Sequence, residues 1–84
     1  FVMYALLYSD TVEKQLSKLE RDQRERILKA LERARGNPFH YFIKLTGMDF
    51  FRMRVGDYRV MADIHQGKLQ ILVVKVGKRE NVYD

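Results

Sequence analysis

The spacing of apolar residues changes once along this chain, at Gly36-Asn37-Pro38, and that change limits what it can fold into. Before it, Val12, Leu16 and Leu19, and then Ile27, Leu28, Leu31 and Ala34, recur at the period of an amphipathic helix. After it, Phe50–Val55, Tyr58–Ile64 and Leu69–Val76 read as three strands, short and alternating or apolar. Gly36 and Pro38 divide the two regimes, because glycine tolerates a helix end and proline cannot continue one. A short aromatic run, Tyr4–Tyr8, precedes the helical half and is closed by Ser9-Asp10, so it reads as a first strand. The predicted order is β-α-α-β-β-β. This is an α+β fold, a two-helix hairpin packed on a mostly antiparallel four-stranded sheet.

The helical half carries its own punctuation. Asp10 with Glu13, and Asp22 with Glu25, have the form of N-caps with a returning carboxylate. They predict two helices with a tight break near Glu20-Arg21. Glu20–Arg24 and Glu25–Lys29 stand at i, i+4 and predict local ion pairs on a solvated face. The alternative use of that face is a secondary RNA-contacting surface.

At 84 residues the chain is expected to form a single domain, residues 1–84. A core of that size leaves no room for a large enclosed cofactor pocket. There is no cysteine, which excludes disulfides, thiolate metal sites and cysteine nucleophiles. A formal charge of +5 points to a polyanionic partner. The longest fully apolar run, residues 1–8, is far short of a membrane-spanning helix, and neither such a helix nor a signal peptide is expected, so the cytoplasm is the expected compartment.

The strand half places its charges sharply. Gly56-Asp57 is a two-residue hairpin turn with glycine first, the pattern of type II′. That turn pairs Val55 with Tyr58, Arg54 with Arg59 and Met53 with Val60. Phe51, Met53, Val55, Tyr58, Val60, Ala62 and Ile64 then share one apolar face that must pack on the helices. Arg52, Arg54 and Arg59 fall on the opposite face. Two arginines directly across a sheet repel, by a few tenths to about 1 kcal/mol, so their placement points to an anionic ligand. A second turn around Gln66-Gly67 would set Leu72, Val74 and Val76 beside Met61 on the arginine side, an apolar patch either covered by the seven residues after Gly77 or, as the shortness of that tail favours, kept for a partner. Gly77 is expected to release the last strand before Lys78-Arg79 and Tyr83. His40 and His65 share no metal-ligand spacing. Met48, Met53 and Met61 read as packing residues.

Four segments carry a family resemblance: Lys44-Leu45-x-Gly47, Arg52-x-Arg54, Gly56-Asp57-Tyr58-Arg59-Val60, and Val76-Gly77-Lys78-Arg79-Glu80 followed by Val82-Tyr83. Together they resemble RelE-type toxins of the RelE/ParE superfamily, across nearly the whole chain. The resemblance implies a ribosome-dependent endoribonuclease of a type II toxin–antitoxin system. Such an enzyme cuts messenger RNA in the ribosomal A site by attack of a ribose 2′-OH on the adjacent phosphate, with no metal or other cofactor. It implies two partners, a RelB-like antitoxin with acidic amphipathic helices and the ribosome carrying mRNA, and no membrane. By position, Arg52, Arg54, Arg59, Arg79 and Tyr83 correspond to the family's catalytic residues. Lys44 and Lys78 would contact RNA, and Glu80 would orient Arg79. Both strand positions that are commonly lysine in the family are arginine here. Arginine stays protonated, so neither Arg52 nor Arg54 can serve as general base. That leaves Tyr83, a ribosomal RNA group, or no well-placed base. The competing functions are a non-cleaving toxin of the ParE branch acting on DNA gyrase, and a catalytically weak ribosome- or RNA-binding module.

Overall fold

The computed structural model describes residues 2–78. Its elements run β1 (Ala5–Tyr8), α1 (Asp10–Ser17), α2 (Arg21–Ala34), α3 (Pro38–Tyr41), β2 (Ile43–Lys44), β3 (Phe51–Val55), β4 (Tyr58–His65) and β5 (Gln70–Lys78). The sheet has five strands in the order β1-β5-β4-β3-β2, with β1 parallel to β5 and every other pair antiparallel. The expected α+β architecture is therefore present, with five strands in place of four. The extra strand, β2, spans two residues, too few for any periodicity to register. The short α3 was also unforeseen. Pro38 sits at its first turn, where the missing N–H costs nothing, so the residue that ends one helix begins the next.

The helices start and pair differently from the expectation. Ser9, one residue before Asp10, caps α1, its hydroxyl accepting the Val12 N–H at 3.1 Å. Glu20 occupies the N-cap of α2 without a side-chain cap bond, and Asp22 lies inside the first turn. Neither Glu20–Arg24 nor Glu25–Lys29 forms. Glu25 instead accepts from Arg21 at 3.2 Å, and Arg24 donates to the Leu19 carbonyl across the break. Reach decides this: the carbonyls freed at the end of α1 compete for the same guanidinium.

The core lies between the helices and one sheet face. Val12, Ile27, Leu31 and Ala34 pack against Met53, Val60, Ala62, Ile64, Ile71, Val73 and Val76, with Phe51, Val55 and Tyr58 half-buried beside them. Gly56 has φ +59, and among the described residues Asp57 is not on the positive side, the sign pattern of a type II′ turn. The β3–β4 register is the one the turn dictates, with Arg54 opposite Arg59.

The β4–β5 pairing corrects the expectation. The connection occupies residues 66–69, with Leu69 at φ 52, and a bulge interrupts the ladder: Ala62 faces Val73, but Met61 faces Lys75. Val74 is the extra residue on β5. A bulge shifts every residue beyond it to the other face. Val76 therefore joins the core rather than the arginine face, and Lys75 takes its place there. Gly77 lies inside β5, opposite Arg59, rather than releasing the strand. Past Tyr8 the outer edge of β5 loses its strand partner, and α1 covers it. The Gln15 side-chain oxygen accepts the Val76 N–H at 2.7 Å, and the Ser9 hydroxyl meets the Val74 carbonyl at 3.4 Å.

Candidate functional site

Register assembles the site from three strands. Arg54, Arg59 and Gly77 form one row across β3, β4 and β5, and Arg52, Met61 and Lys75 form the next. With strands about 4.8 Å apart, Arg52 and Lys75 flank Met61 across roughly 10 Å. The three arginines foreseen from the hairpin thus do share one face. Lys75 is the residue that sequence reasoning missed. Its signal was present: a lysine inside the apolar run from Ile71 to Val76 cannot face a core, so the strand must change phase before it.

The centre of this face is buried. Met61 is buried without belonging to the core cluster, and Arg59 is only 3% exposed. The Arg59 Nε makes no hydrogen bond among the described residues. Arg52 is half-buried and Arg54 exposed. A buried guanidinium donor without an acceptor is costly for the fold, since the lost hydration is not replaced. Gly77 places no side chain in the same row.

The remaining candidates separate. Lys44 is exposed and, opposite Phe51, shares the helix-side face rather than the arginine face. Lys78 is exposed at the end of β5, opposite Tyr58. Arg79, Glu80 and Tyr83 lie outside the described residues. His40 is exposed in α3 and His65 exposed at the end of β4, at opposite ends of the hairpin. The apolar patch on the arginine side consists of the exposed Leu7 beside the half-buried Leu72, with Val74 adjoining. No helix among the described residues is long and apolar enough to cross a membrane.

A helical hairpin on one face of a five-stranded sheet, with cations gathered in rows on the other, defines a small basic α+β protein. Comparison with known proteins narrows this class. The family model described as "ParE toxin of type II toxin-antitoxin system, parDE" matches residues 6–83. The fold is similar to the isolated E. coli RelE toxin, with 30% identity, a TM-score of 0.78, and coverage of 95% of this chain and 90% of that one. It is also similar to a chain of the intact E. coli RelBE toxin–antitoxin complex (28% identity, TM-score 0.79, 93% and 99% covered). A third similar structure is the archaeal RelE–RelB complex from Pyrococcus horikoshii OT3 (26% identity, TM-score 0.81, 95% and 99% covered). Comparison with curated protein sequences gave no match. The chain belongs to the RelE/ParE superfamily, the toxins of type II toxin–antitoxin systems.

Proposed function

We propose that this toxin is a ribosome-dependent endoribonuclease that cuts messenger RNA and is held inactive by a RelB-like antitoxin. The observation that carries the reading is Arg59: a guanidinium 3% exposed, with its Nε unpartnered among the described residues, opposite a second arginine. In the reaction, the ribose 2′-oxygen forms a bond to the adjacent phosphorus and the bond from phosphorus to the 5′-oxygen breaks. The 2′-OH proton passes to a base, and the departing 5′-oxygen takes up a proton. The products are a cyclic phosphate and a 5′-hydroxyl end. Negative charge grows on the non-bridging oxygens, and Arg52, Arg54 and Arg59, with Arg79, would stabilise it. Tyr83 would stack on a base or accept the proton. Lys75, in the row of Arg52 and Met61, adds a candidate cation for the same charge.

An antitoxin partner is supported by two of these similar structures, which were solved as RelE–RelB complexes. The exposed Leu7 beside Leu72, on a surface of net positive charge, suits an amphipathic acidic segment.

The test is primer extension on a translated message, with ribosomes present and absent. Wild type is compared with Arg79→Ala, Tyr83→Phe and Lys75→Met. Cuts that require the ribosome and disappear in Arg79→Ala are the expected result. A retained level in Tyr83→Phe would assign Tyr83 to stacking rather than proton transfer, and a loss in Lys75→Met would place Lys75 among the cations that act on the phosphate. The match to the ParE family model favours a second reading, a toxin acting on DNA gyrase without cleavage. No cuts, together with inhibition of gyrase supercoiling, would replace the first reading by the second.

A further inference from the structure

A second cationic feature lies on the other side of the β3 edge. β2 pairs only with Phe51 and Arg52, so the edge of β3 from Met53 onward has no strand partner there. Along that edge, α2, α3 and β3 line a cleft of about 460 Å³. Arg26, Lys29 and Arg33 form its α2 wall, Arg54 its β3 wall, and His40 and Tyr41 of α3 its end, with no carboxylate among the lining residues.

The α2 wall is a consequence of spacing: positions 26, 29 and 33 fall on one helical face. Like charges at that spacing repel, and the neighbouring carboxylates do not relieve them. Glu25 is engaged by Arg21 and Glu32 by Arg35, so among the described residues Arg26, Lys29 and Arg33 form no ion pair. Gly56 lets the Arg26 guanidinium approach the hairpin turn: a β-carbon there would stand 3.2 Å from its Nη2. The His40 and Tyr41 rings meet edge to face at 5.0 Å, and Tyr41 is 41% exposed.

Cations along a groove with aromatic rings at one end form a single-stranded nucleic acid site, the cations following phosphates and a ring accepting a base. An acidic peptide would use the cations and leave the rings idle. We propose that this cleft binds single-stranded RNA, with phosphates on Arg26, Lys29, Arg33 and Arg54 and a base stacked on Tyr41. The inference deepens the RNA reading of the arginine face and rests on it. Arg54 belongs to both surfaces, so one strand can pass over the β3 edge from the arginine rows into the cleft.

The experiment is a fluorescence-anisotropy titration of a labelled 2′-O-methyl RNA decamer, repeated over a range of salt concentrations. With no free 2′-OH this probe cannot be cut by the proposed chemistry, so binding is read apart from cleavage. Lys29→Ala/Arg33→Ala is expected to bind about tenfold or more weakly, with a salt slope lower by roughly 1.4 for two lost phosphate contacts. Tyr41→Ala is expected to weaken binding about fivefold or more at an unchanged slope. Lys14→Ala/Lys18→Ala removes the same charge from α1 and its C-cap and is expected to stay within about twofold, the thermal melts of all variants being matched against wild type. An equal loss in the α1 control would overturn the proposal in favour of diffuse attraction. Competition by decaglutamate as effective as that of unlabelled RNA would overturn it in favour of an acidic protein partner. Binding that depends on the cleft, in a protein that makes no ribosome-dependent cuts, would sustain the groove and refute the nuclease. Cuts in the wild type with full RNA affinity in Lys29→Ala/Arg33→Ala would do the reverse.

Discussion

Replacing Arg59 by methionine should make the free protein more stable while abolishing its activity. The residue is 3% exposed, its Nε has no hydrogen-bond partner among the described residues, and Arg54 stands directly across the ladder. An unsatisfied buried polar group costs about 1–3 kcal/mol. The like-charge pair adds a few tenths to about 1 kcal/mol. Methionine keeps an unbranched stem that adapts to the space, and its smaller volume returns part of the gain as imperfect packing. The net expectation is stabilisation by about 1–2 kcal/mol. At about 4–8 °C per kcal/mol for a domain of this size, Tm should rise by roughly 5–15 °C. Thermal unfolding of the free protein by circular dichroism measures this, beside ribosome-dependent cleavage, where a loss of about a hundredfold or more is expected. A fall in Tm of several degrees would refute the reasoning, because the guanidinium would then be a structural group. A rise in Tm with cleavage intact would equally refute it, by removing the anion from the account.

Gln15→Met should lower the urea midpoint by the equivalent of about 1–3 kcal/mol, since the Val76 N–H loses the acceptor it holds at 2.7 Å; an unchanged midpoint would mean that water replaces the amide. Gly56→Ala should cost about 1–2 kcal/mol from the left-handed backbone at φ +59, and the same substitution on an Arg26→Ala background should cost as much, because the strain is in the backbone and not in the nearby guanidinium. Burial, and then the Glu32 carboxylate, raise the Tyr8 pKa above its ordinary 10.0, with Arg35 opposing. The folded chain therefore keeps a proton that the unfolded chain sheds, so this contribution is complete below about pH 10 and declines as pH rises through the raised value. Tyr8→Phe should accordingly flatten the alkaline loss of stability; identical alkaline slopes for the two proteins would exclude the assignment.

Much of this structure was legible from periodicity because each half of the chain obeys one rule. The Gly56-Asp57 turn pins a register from which the apolar face and the opposed Arg54–Arg59 pair both follow. What escaped was set by competition between neighbours rather than by pattern. Ser9 rather than Asp10 caps α1, and both residue types are good caps, so only backbone geometry separates them. Arg24 had a carbonyl nearer than its expected carboxylate. The burial of Arg59 could not be read at all, since alternation assigns a face and says nothing about what covers it.

The bulge at Met61/Ala62 is where fold and site meet, because both of its consequences serve the same charge distribution. Without it, β5 would carry Lys75 into the core and Val76 onto the arginine face, costing the fold a buried ammonium and the site a cation. With it, Val76 is buried and Lys75 stands in the row of Arg52 and Met61. The extra residue comes at the point where β1 ends, and there α1 takes over the unpaired edge through Ser9 and Gln15. The helix that closes the edge thus helps maintain the phase change that completes the cationic face. It follows that Gln15→Met should act on activity as well as stability. Loosening β5 at Val76 frees the neighbouring Lys75 and Gly77, so cleavage should decline at temperatures well below the melt. A loss of activity that only tracks the unfolded fraction would separate the two roles.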